Sequence, residues 1–121
     1  MKSKRTLVLG ASTKENRYSN IAIKRLLSSD HEVVAIGNRP GNVQEVAIVT
    51  DGSELPDIDT VTLYLNPERQ KEYYDYILSL KPRRVIFNPG TENDELVNLL
   101  KEHHIESQLA CTLVLLATDQ Y

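Results

Sequence analysis

Cysteine is almost missing from this chain: a single thiol, Cys111, stands in 121 residues. One cysteine excludes an internal disulfide and any zinc site built on cysteine pairs, and it suits a reducing compartment. Long apolar runs are missing as well. None approaches the roughly 20 residues needed to cross a bilayer, and the leading "MKSKR" has no signal-peptide core behind it. The expectation is a cytoplasmic protein with no membrane contact. An excess of positive charge is also absent. Fourteen Lys and Arg face 17 Asp and Glu, for a formal charge of −3. That argues against nucleic acid, because a phosphate backbone needs a concentrated basic surface. No repeat, low-complexity tract or linker divides the sequence, so residues 1–121 read as one domain.

What is present is an alternation of short apolar runs and amphipathic segments. Residues 5–10, "RTLVLG", end at a glycine as a buried parallel strand would. Ser19 or Asn20 can cap the helix that follows, where Ile21, Ala22, Ile23, Leu26 and Leu27 form a broad apolar stripe. Residues 32–37 make a second strand, stopped by the turn formers "NRPGN". A short third strand falls within residues 43–50, and residues 51–59 are a loop. Residues 60–65, "TVTLYL", are the fourth strand. Asn66 and Pro67 then open a helix reaching Leu80, which packs through Tyr73, Tyr74, Ile77 and Leu80. Residues 84–88 form a fifth strand, residues 93–104 a helix, and "IESQLA" a short last strand before an apolar helix or turn.

This order predicts an α/β, Rossmann-like three-layer fold, with a parallel sheet of five to six short strands and helices on both faces. In such sheets ligands bind beyond the carboxyl ends of the strands, near the point where strand order reverses. The exit loops are therefore where function is sought.

The first loop is poor in glycine. Dinucleotide binders carry three glycines that bring bare backbone to a pyrophosphate. Here Gly10 stands alone, while Ser12 and Thr13 offer hydroxyls and Lys14 and Arg17 offer charge. A helix N-terminus attracts phosphate, although a polar loop with one glycine also suits a surface without ligand. The second strand ends in "GNRPGN" rather than in the acidic residue that holds an adenosine ribose in NAD binders. Asn38 is neutral, and Arg39 is either a solvent-facing turn residue or one that favours a phosphate on that ribose through a charge-assisted fork. The pattern points away from NAD and toward NADP or coenzyme A.

"GASTKENRYS" and "NRP", followed by "SELPDIDTVTLYLNPE", "NPGTEND" and a late "ACT", resemble the CoA-binding domain family. Its fold is that of the N-terminal domain of the succinyl-CoA synthetase alpha subunit, and the likeness is to its single-domain bacterial members. The resemblance implies that Gly10, Ala11 and Ser12 lie against the CoA pyrophosphate, with Arg17, Tyr18 and Ser19 lining the same pocket. It implies that Asn38, Arg39 and Pro40 face the adenosine end, Arg39 meeting the 3′-phosphate. Asn66 and Pro67, with Asn88, Pro89 and Gly90, would form the far wall. Asn88 stands where many relatives carry a longer glutamine.

The remaining chemically capable residues assemble no catalytic set. His103 and His104 close a predicted helix, where a cation suits the dipole. His31 reads as a surface residue in the turn "SSDHE", and the three histidines lack metal-ligand spacing. Cys111 lies between apolar stretches and reads as a buried, inert thiol; facing the pocket, it could instead meet a pantetheine thiol. Glu92, Asp94 and Glu95 fall in the first turn of a helix, a favourable place for anions. Tyr76, in "YYDY", lies off the core stripe, either simply exposed or part of a self-association patch that would make a homo-oligomer. The sequence thus reads as a domain that binds a small nucleotide ligand, coenzyme A or an acyl-CoA, without catalysis of its own. An NADP-dependent or CoA-transferring enzyme and a nucleotide-responsive interaction module are the alternatives.

Overall fold

A strand buried along nearly its whole length needs cover on both faces of its sheet, and the central strands here are of that kind. In the computed structural model, which describes residues 3–52 and 54–121, the strands are β1 (Thr6–Ala11), β2 (Val33–Gly37), β3 (Gly41–Val43), β4 (Val46–Val49), β5 (Thr60–Leu63), β6 (Arg84–Phe87) and β7 (Glu106–Leu109). Met1, Lys2 and Ser53, which fall in the leading segment and in the loop expected over residues 51–59, lie outside the described residues. All side chains of β5 and β6 are buried. The helices are α1 (Tyr18–Ser28), α2 (Pro67–Gln70), α3 (Tyr74–Leu80), α4 (Asp94–Glu102) and α5 (Thr112–Ala117).

The sheet runs β3-β4-β2-β1-β5-β6-β7. Every neighbouring pair is parallel except β3 and β4. The chain builds outward from β1 to β2 and β4 on one side, then returns to place β5, β6 and β7 on the other. Strand order therefore reverses between β2 and β5, across β1.

Alternation along the strands divides the interior in two. Leu7, Leu9, Ile36, Val61, Leu63, Val85 and Phe87 pack with Ile77 of α3 and with Leu96 and Leu100 of α4. Val8, Ala35 and Ile48 pack on the opposite face with Ile23 and Leu26 of α1, and Leu116 of α5 joins them. This is the three-layer arrangement the pattern predicts.

Four expectations need correction. Among the described residues the sheet has seven strands, because the "NRPGN" turn ends early: Gly41 and Asn42 pair antiparallel with Ile48 and Ala47 as an edge hairpin. The helix after Asn66 is not continuous. It breaks into α2, a 3-10 turn over Lys71–Tyr73, and α3. His31 is 4% exposed rather than a surface residue; its Nδ1 accepts the Lys4 N–H at 3.0 Å, and its ring lies 4.9 Å from that of Tyr121. Tyr76 is half-buried against the larger core, its ring so close to Gly52 that a Cβ there would lie 2.3 Å from it.

Candidate functional site

A cleft of about 540 Å³ opens beyond the carboxyl ends of β1, β2 and β5, at the reversal of strand order. Gly10, Ala11, Ser12, Thr13 and Lys14 line it from the end of β1 and its exit loop. The start of α1 contributes Arg17, Tyr18 and Ser19, and the exit of β2 contributes Asn38 and Arg39. Asn66, Pro89 and Gly90 face it from the exits of β5 and β6.

Gly10 sits at a register shift between β1 and β2, with φ +100°. A Cβ there would lie 2.8 Å from the backbone carbon and oxygen of Tyr64, so both conformation and space call for glycine. The loop then closes on itself. The Ser12 hydroxyl accepts the Lys14 N–H at 3.1 Å, the Arg17 N–H donates to the Lys14 carbonyl at 3.1 Å, and the Asn20 amide donates to the Ser12 carbonyl at 3.0 Å. Ser19, at the edge of the cleft, and Asn20 are both buried within the first turn of α1, and neither caps it as expected.

The cap position falls to Arg17, whose side chain makes no capping bond, and the first turn of α1 holds no acidic residue. Two helices of the opposite face differ. Asn66 caps α2 by accepting the Arg69 N–H at 2.9 Å, with Glu68 in the first turn. Asn93 caps α4 through the Leu96 N–H at 3.2 Å, with Asp94 and Glu95 beside it. Of these three helices, α1 alone leaves its positive end to be met from outside. Lys14, Arg17, Arg39 and Arg69 line the same cleft, and among the described residues no carboxylate does. Arg69 reaches from α2 over the exit of β1 and donates to the side-chain oxygen of Asn38.

The far wall is held by buried amides. Gln70 is fully buried; its Nε2 donates to the Leu65 and Thr91 carbonyls at 2.8 Å each, and its Oε1 accepts from Asn93 Nδ2 at 2.9 Å. Asn88 is not on the cleft surface, because its side chain turns inward to bond Thr62, Leu63 and Thr112. Pro40 and Pro67 also lie outside the lining: Pro67 is the first residue of α2, and Pro40 leads into β3.

Tyr64, Leu65, Arg69 and Thr91 line the cleft without having been singled out in the sequence. Tyr64 and Leu65 close the run "TVTLYL", so reading strand ends as site positions would have found them. Thr91 lies in an exit loop already marked for attention. Arg69 carries no local signal at all. Burial pushes the Tyr64 phenol up to about 12, with the neighbouring Thr62 and Thr112 hydroxyls pulling the other way.

Cys111 is half-buried just before α5 and does not line the cleft. His103 and His104 follow α4 on the surface, and His103 Nδ1 lies 2.9 Å from the Leu99 carbonyl oxygen. Among the described residues no three His, Cys, Asp or Glu side chains gather to hold a metal ion. Nor is any helix there long and apolar enough to cross a membrane.

Comparison with protein-family profiles matches residues 4–117 to the family described as "CoA binding domain". A crystal structure of an uncharacterized protein is 47% identical, with a TM-score of 0.97 and coverage of 100% of both chains. A hypothetical protein from Pyrococcus horikoshii OT3 is 25% identical, with a TM-score of 0.83 over 93% of this chain and 81% of that one. A Thermus thermophilus structure at 20% identity shares the fold, with a TM-score of 0.83 over 98% of this chain and 91% of the other. No curated protein matches.

Proposed function

Because the chain belongs to the CoA-binding domain family, we propose that its cleft binds coenzyme A, free or acylated, and performs no catalysis of its own. One observation carries the reading. In a protein of net charge −3, the cleft is lined by four cations and, among the described residues, by no carboxylate. Such a site suits a polyanion. Coenzyme A is anionic in two places, its pyrophosphate and its 3′-phosphate, and the cations lie on more than one side of the cleft.

The residues fit this ligand. Gly10, Ala11 and Ser12, with the uncapped start of α1, take the pyrophosphate through backbone N–H groups and the helix field. Arg39 takes the 3′-phosphate through its planar fork. The bound nucleotide supplies an acyl-carrying thiol. On this reading the chain contributes binding and orientation, and the thiol of Cys111 lies outside the lining.

Calorimetric titration with CoA, 3′-dephospho-CoA, NADP and NAD at one salt concentration tests the reading. CoA should bind more tightly than each of the other three. Preference for NADP, whose ribose is also phosphorylated, would shift the assignment to a reductase. Failure of all four would leave the family's ligand without a role in this protein.

A further inference from the structure

We propose that Arg69 is a pyrophosphate clamp that ligand binding releases from Asn38. The proposal rests on the CoA reading and adds to it a residue that no local motif marks. Its backbone is fixed, because its N–H is held by the Asn66 side chain at 2.9 Å in the first turn of α2. Its guanidinium spans from the exit of β5 to the exit of β2, the two strands that flank β1. The bridge therefore crosses the first loop, where the pyrophosphate of a ligand lying along the cleft must pass.

The partners make the bridge exchangeable. Asn38 offers a neutral amide oxygen at an exposed position. A phosphate oxygen is anionic, and charge-assisted hydrogen bonds are roughly twice as strong as neutral ones. Among the described residues no carboxylate forms an ion pair with Arg69, and Glu68 beside it is engaged with Lys71 at 3.3 Å. An aspartate at position 38 would lock the guanidinium in place. An asparagine holds it across the entrance and yields to a phosphate.

The test is titration of the wild-type protein, Arg69→Ala and Arg69→Gln with CoA, 3′-dephospho-CoA and inorganic pyrophosphate, alongside thermal melts of all three proteins. Glutamine keeps an amide donor for Asn38 but loses the charge. A clamp therefore predicts that both variants melt close to wild type and bind all three ligands at least about tenfold more weakly, by a similar factor for each. Affinities within about twofold of wild type in Arg69→Ala, or full rescue by glutamine, would overturn it. Weakening confined to CoA would also overturn it, by assigning Arg69 to the 3′-phosphate. Pyrophosphate binding that depends on Arg69, in a protein that does not bind CoA, would support the clamp while removing the CoA reading. Binding of neither by the wild-type protein would remove both.

Discussion

The side-chain oxygen of Asn88 accepts the backbone N–H of Thr112 at 2.9 Å, fastening the start of α5 to the end of β6. The same side chain donates to the Thr62 hydroxyl at 2.7 Å and to the Leu63 carbonyl at 2.8 Å, so one buried amide joins two strands and a helix. Asn88→Ala leaves the Leu63 carbonyl and the Thr112 N–H without this partner. We expect a loss of about 1–3 kcal/mol, the usual cost of leaving a buried polar group unpaired, read as a lower denaturation midpoint. An unchanged midpoint would mean that the brace carries no net stability.

Gln70 plays the matching part on the other face, tying the exits of β5 and β6 to the start of α4. Gln70→Leu keeps the bulk and removes every bond. It should cost at least about 1–3 kcal/mol, because the Leu65 and Thr91 carbonyls lose their donor. Hydrogen exchange should quicken at residues 91–93, and exchange at the wild-type rate would count against this role.

Gly10→Ala forces a side chain onto a backbone at φ +100° and against Tyr64. Alanine at a positive-φ site destabilises by more than about 1 kcal/mol. The variant should also distort the first loop, so ligand affinity and melting temperature should fall together. Loss of neither would show that the bulge can relax.

Arg39 is assigned to the 3′-phosphate, and a hydrogen bond to a charged group is worth about 1.5–3 kcal/mol. Arg39→Ala should therefore weaken CoA much more than dephospho-CoA in parallel titrations. Equal weakening of both would remove that assignment.

His31 should make stability depend on pH. Burial, then Lys4 and then Arg84, hold its pKa below the ordinary 6.5, against weaker opposing pulls from Asp30 and Asp59. Its Nδ1 is the acceptor for the Lys4 N–H, so protonation there removes a bond and adds a cation beside others. Because the folded pKa is depressed, the unfolded chain binds the proton first. The stabilisation is fully present above about pH 6.5 and is lost as pH falls through the lower folded value. Melts between about pH 7.5 and 5 should show this fall, and His31→Gln should flatten it. An equal slope in the variant would assign the effect to other groups.

The fold and the first loop were legible because they rest on local pattern. Leu7 and Leu9, buried on one face of β1, and Val8, buried on the other, announce a parallel strand, and Gly10 marks the sharp exit. Asn66-Pro67 announces a helix start. What was not legible depends on partners distant in sequence. Asn88 reads as a wall residue by the family resemblance alone; only the positions of Thr62 and Thr112, distant in sequence, turn it inward. Arg69 reads as one more charge on a helix until the strand order brings Asn38 within its reach. His31 followed turn residues and gave no hint that Tyr121 would cover it. Gly41 and Asn42 fit a turn as well as an edge strand, and Ile48 and Ala47 decide between them.

The missing cap of α1 has a thermodynamic consequence. The proposed ligand, by completing that first turn, would make the folded state a partner in a binding equilibrium, and stability would become a function of ligand concentration. At roughly a hundredfold excess over the dissociation constant, an anion seated there would add about 2.7 kcal/mol. The persistence of the protein in a cell would then rise and fall with the supply of the molecule it holds.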